Sequence, residues 1–137
     1  MVINDIKGAH LAIYAAAMVY DEVRDRINIA FSNDGPGFTS QFIETESAKK
    51  VLPKVYRIIP EESVVGMLML PLGEPNVIKS SSRSIKQHDL LNWTVSGHRF
   101  VRAGKLKSNA VKADRNIKRW AEGLEEQDKI NMIKWKE

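Results

Sequence analysis

Three stretches of this chain carry side chains that could do chemistry together. "SNDGPG", residues 32–37, places Asp34 just after the apolar run "RINIAFS". "KQHD", residues 86–89, places His88 at a junction between strand and loop. A carboxylate that follows a strand of an open α/β sheet sits at the edge where such folds keep their ligand sites. An imidazole nearby could take up a proton at neutral pH. Each residue also has an ordinary structural use. Asp34 can bond its own backbone in a turn beside Gly35 and Pro36, and His88 can cap a helix or lie in solvent. The third stretch, "NDIKGAHLA" at 4–12, reads as a sharp turn from strand to helix, with small residues Gly8, Ala9 and Ala12 for a close approach. Ile6 stands where such a turn would hold a nucleophile, and it brings no reactive group.

The remaining candidates point to structure. His10 lies on an apolar helix and is expected as a core histidine; His98 is expected at the surface. Three scattered histidines and no cysteine leave no metal-ligand spacing and no thiolate chemistry. No metal and no cofactor is expected. "SSSRS" at 80–84 lacks the glycines of a phosphate cradle, and Met67, Leu68, Met69 and Leu70 read as core. Asp89 can cap a helix or assist His88.

The elements that must position these residues alternate between strand and helix. Val2 and Ile3 read as the stub of a buried strand. Residues 7–23 are apolar nearly all round, the pattern of a buried helix. Strands are predicted at 26–32 and 54–59, the first closed by "NDGPG" and the second by Pro60. "NVIKSSS" predicts a third. Thr39 or Ser40 can cap a helix that ends before Pro53. "NWTVSGHRFV" predicts a strand or hairpin arm with Trp93, Val95 and Phe100 toward the core, and Asp114 can cap a last helix through Ile117 and Trp120. Such alternation predicts an α/β fold with a mostly parallel sheet flanked by helices.

At 137 residues, with 43% hydrophobic and 28% charged residues, the chain has the size and balance of one globular domain. No apolar run reaches the roughly 20 residues that span a bilayer, and a cytoplasmic location is expected. Residues 1–98 hold 10 Lys/Arg against 11 Asp/Glu, while 99–137 hold 11 against 6. The excess positive charge is therefore C-terminal, with eight basic residues and one acid between Arg99 and Arg119. That stretch could contact nucleic-acid phosphates. No recognition signature surrounds it, and solvated surface is the preferred reading.

"KGAHLAIYAA", "SNDGPGF", "VVGMLM", "VIKSSS" and "IKQHDLLNW" occur in an order and spacing that resembles the bacterial Mbeg-like family, a lipase-like branch of the α/β-hydrolase fold. The resemblance covers residues 3–101, and the last helix more weakly. It implies a nucleophile elbow, G-H-S-K-G-G-N-L-A, in which glycines relieve the strained turn and serine projects toward a histidine base. Laid on this chain, Asn4 stands at the first glycine, Ile6 at the serine, Ala9 at the second glycine and His10 at asparagine; Lys7, Gly8, Leu11 and Ala12 match. The resemblance implies His88 as the base and an acid near Ser63, with Glu61 or Glu62 as substitutes; Asp34 is a candidate from its place after a strand alone.

The expectation is thus one domain over 1–137, resembling the C-terminal half of a hydrolase-type fold, with an elbow remnant at 3–12 and a basic helical region at 102–137. Asp34 and His88 are the catalytic candidates. The missing serine implies an inactive, truncated serine-esterase or lipase-like protein; lipid or ester substrates would belong to full-length relatives. The alternatives are a non-catalytic interaction module and a nucleic-acid binder acting through 99–119. Self-association, or pairing with a separate N-terminal half, is expected to cover the apolar helix and strand edge.

Overall fold

The structure, a computed structural model, describes residues 6–70 and 72–123. Val2 to Asp5 of the expected strand and turn lie outside the described residues, as do Leu124, Ile130 and Ile133 of the last helix and the side chains of Ile6 and Trp120. Helix α1 (Ile6–Met18) is followed by the short α2 (Asp21–Asp25) and by strand β1 (Ala30–Asn33). Helices α3 (Ser40–Ile43) and α4 (Glu46–Val51) lead to β2 (Val55–Pro60), and β3 (Asn76–Ile78) follows an irregular crossover. The three strands run parallel in the order β1-β2-β3, with Ala30 opposite Val55 and Ile58 opposite Asn76. This is an α/β arrangement, and every connection returns to the same end of the sheet.

Helix α1 packs on β1 and α4. Ile13, Ala16 and Ala17 meet Phe38, Val51 and Leu72, with Ala30 and Val55 reaching up from the sheet. Small residues on α1 let its backbone approach the strands closely. Arg24 closes the helix end by donating to the carbonyls of Ala17 (2.8 Å) and Val19 (2.6 Å), which otherwise lack partners. The opposite face of the sheet packs Ile58 and Ile78 against Trp93, with Tyr56 and Leu90 at the margin.

Four expectations need correction. The apolar helix stops at Met18 and is two-faced: Leu11, Tyr14 and Met18 are 61%, 46% and 50% exposed. They fall on one stripe because residues three and four apart share a helix face. The helix expected before Pro53 is two helices, because Thr45 accepts from the Ala48 N–H (3.3 Å) and starts a second one after Thr39 has capped the first. Val95 is exposed; its hairpin, β4 (Val95–Ser96) and β5 (Arg99–Phe100), touches the core through Trp93, against whose edge Phe100 packs at 5.4 Å. Asp114 lies inside α5 (Ser108–Glu122), which starts six residues earlier. Lys107 anchors that start by donating its N–H to the Glu61 carbonyl (2.8 Å).

Candidate functional site

The site lies at the carboxyl ends of the parallel strands. Asp34 follows β1 with φ at 49°, a left-handed conformation that aspartate tolerates better than most residues. Its N–H donates to the Ile58 carbonyl (2.8 Å), which continues the strand pairing by one residue. The side chain, 1% exposed, makes no Asx-type turn. Instead Oδ2 meets His88 Nδ1 at 2.8 Å, while Oδ1 accepts from the Ser63 hydroxyl and from the Gly66 N–H (3.1 Å). A carboxylate accepting three donors is strongly held, since bonds to an ionised acceptor are about twice as strong as neutral ones. With Asp34 ionised, the donor on His88 is Nδ1–H, which puts the lone pair of the neutral ring on Nε2.

Asp34 and His88 share one edge of the sheet but not adjacent strands: β2 runs between β1 and β3. Ser63 and Gly66, from the loop after β2, fill that interval. Gly66 has no room for a side chain; a Cβ there would lie 2.5 Å from Asp34 Oδ1 and 2.8 Å from Ser63 Oγ. The missing Cβ is what lets its N–H reach both the carboxylate and the Ser63 oxygen (3.0 Å).

His88 ends a 3-10 turn, Ser84–His88, that is held by its neighbours' side chains. Gln87, fully buried, accepts from the Glu62 N–H (2.9 Å) and donates to the Ser82 carbonyl (2.8 Å). Its own carbonyl takes the Trp93 indole N–H (2.7 Å). Glu62 accepts from the Ser84 N–H (2.8 Å) and from Lys107 Nζ (3.1 Å). That backbone N–H, and then Lys107, hold the Glu62 carboxyl below the usual carboxylate range. Lys107 also pairs with Glu61 (3.0 Å), so both glutamates brace the loop. Asp89 caps the next turn by accepting from the Leu91 N–H (3.0 Å).

The other candidates take structural places. His10 stacks on Phe38 (3.9 Å between ring centres), and its Nδ1 is buried with no hydrogen-bond partner among the described residues. Burial lowers its pKa, with the Gly37 backbone opposing the shift. His98 is exposed and accepts from Arg99 Nε (3.2 Å). Ser80 and Ser81 both donate to the Asn92 carbonyl. Met69 and Leu70 are exposed rather than core. Among the described residues no group of three His, Cys, Asp or Glu could hold a metal ion, and no helix is long and apolar enough to cross a membrane. Reading the sequence missed Gly66, Gln87 and Arg57. The last had a signal, a cation in the middle of the apolar strand "VYRIIP".

The geometry defines an α/β protein with a buried carboxylate paired to a half-buried imidazole at the carboxyl edge of a parallel sheet. The chain belongs to the Mbeg1-like family, which it matches over residues 1–135. No curated protein and no solved structure matches it.

Proposed function

We propose that this protein is hydrolase-like in architecture, with Asp34 and His88 as its acid–base pair, and that it does not hydrolyse esters through residue 6. The observation that carries the reading is the 2.8 Å contact between Asp34 Oδ2 and His88 Nδ1. A carboxylate on Nδ1 fixes the ring and stabilises the imidazolium that forms when Nε2 takes a proton, the roles these groups have in acyl-transfer triads. Isoleucine at position 6 offers no nucleophile for that base. Loss of a triad nucleophile leaves only the small residual rate from binding and the oxyanion hole. Purified protein is therefore expected not to react with a fluorophosphonate probe and not to turn over short-chain nitrophenyl esters. Stoichiometric labelling of any serine, Ser32 and Ser63 included, would refute the reading. Ile6→Ser alone is not expected to restore activity, because Asn4 and Ala9 replace the glycines of the turn.

A second reading, a binding module that associates with its own kind, is favoured by the stripe of Leu11, Tyr14 and Met18 on α1. Exposed apolar patches of this sort mark interfaces. Light scattering behind size exclusion should show a mass that falls on dilution through the micromolar range. A constant mass near 15.5 kDa would end this reading.

A further inference from the structure

We propose that Arg57 is a positioning residue for the Asp34–His88 pair and acts on it through Gly66. This rests on the acid–base reading of that pair.

Arg57 lies in the middle of β2, opposite Ser32, and is 3% exposed. Its guanidinium donates through Nη2 to the Gly66 carbonyl and through Nη1 to the Gly73 carbonyl (3.3 Å). These glycines form the neck of the loop after β2. Further out, the same loop is stitched to the segment after β1: Gly37 N–H donates to the Leu68 carbonyl (2.9 Å), and Phe38 and Leu70 exchange backbone bonds. Gly66 is thus held on both sides. Its carbonyl takes the cation, and its N–H gives to Asp34 Oδ1. Arg57, Gly66, Asp34 and His88 form one continuous chain from a buried cation to the imidazole.

Burying a guanidinium is costly, and an apolar side chain of similar volume would often serve stability as well or better. What the cation adds here is direction and charge. One arm of the fork holds Gly66, whose N–H orients the carboxylate, and the other holds Gly73 in the same loop. The charged and titratable groups facing Asp34 are His88 and Arg57, and Glu74 also acts on the guanidinium. The contact of Asp34 Oδ2 with His88 Nδ1 then depends on how firmly Gly66 holds the other carboxylate oxygen.

Proton NMR of the full chain tests this without needing any activity. The wild type should show a downfield His88 Nδ1–H resonance, and slow exchange at both that proton and the Gly66 amide. In Arg57→Met both protons should exchange faster by roughly tenfold, the scale of one lost hydrogen bond, and the Nδ1–H resonance should move upfield. Arg57→Lys, which keeps the charge but loses the fork, should fall between the two. A residue that serves stability alone would leave the resonance in place. A folded Arg57→Met with wild-type resonance and exchange overturns the proposal. If Arg57→Met does not fold, wild-type exchange in Arg57→Lys overturns it. Labelling by a fluorophosphonate would sink the functional reading and leave this result standing, so the two failures are separable.

Discussion

Asp34→Ala should destabilise the protein by about 3–5 kcal/mol, the low end of the sum for three donors left without an acceptor at about 1–3 kcal/mol each. The loss has several parts. The Ser63 hydroxyl, the Gly66 N–H and His88 Nδ1 all lose their shared acceptor in a place water reaches poorly. Arg57 stays buried without the carboxylate that faces it. Alanine must also adopt a φ of 49°, which costs roughly 1 kcal/mol for an ordinary residue. Against a total stability of about 5–15 kcal/mol, a change of this size would leave much of the chain unfolded at moderate denaturant. Asp34→Asn is the informative companion. It keeps shape and tolerates the backbone angle, yet turns an NH2 toward one of the donors, so an intermediate loss of about 1–3 kcal/mol is expected. Urea unfolding of both variants gives the ranking. If alanine proves as stable as the wild type, the carboxylate is not what holds these loops together.

Gly37→Ala should be nearly as damaging, for a different reason. A Cβ at this position would lie 1.7 Å from the Leu70 carbonyl oxygen and 2.6 Å from its carbon. Both are backbone atoms, so no rotamer change can relieve the overlap. The loop after β2 would have to leave the segment after β1, breaking Gly37 N–H to Leu68 (2.9 Å) and the two bonds between Phe38 and Leu70. Three backbone bonds at about 1 kcal/mol each put the cost near 3 kcal/mol, and a thermal midpoint lower by roughly 10 °C. Gly97→Ala is the control. Gly97 has φ at 63° with nothing within 4 Å of its missing Cβ, so only the backbone preference of about 1 kcal/mol is at stake. Equal midpoints for the two variants would mean that the loops do not meet as closely as described.

The sequence exposed the site's ends better than its middle. Asp34 and His88 could be found because each follows a segment whose apolar pattern closes abruptly, and parallel strands bring such ends to one edge. Their contact could not be found that way. It spans β2, and it depends on Ser63 and Gly66, a polar residue and a glycine in a stretch whose pattern is neither helical nor alternating. Arg57 breaks the apolar pattern of its strand, which marks it as unusual without saying what it holds. Gln87 stands beside His88 in "KQHD", yet its bonds run to backbone groups far along the chain, and no local pattern records them. The last helix was misplaced because Asp114 has the chemistry of a cap, while the actual start is fixed by Lys107 reaching back to Glu61 and Glu62.

His10, Phe38, Phe42 and Tyr14 form a continuous column of rings, with centres 3.9, 4.2 and 5.5 Å apart in turn. The column joins α1 to the segment just beyond Asp34, and Gly35 adds a direct seat against Ala9. On that side the site is fastened by packing, which salt leaves almost untouched. On the other side the turn that carries His88 is held by hydrogen bonds of Gln87, Glu62 and Trp93. The two halves of the site are therefore unlike as materials: one a column of packed rings, the other a mesh of hydrogen bonds. A change of salt or pH should therefore disturb the hydrogen-bonded side of the site before the packed one.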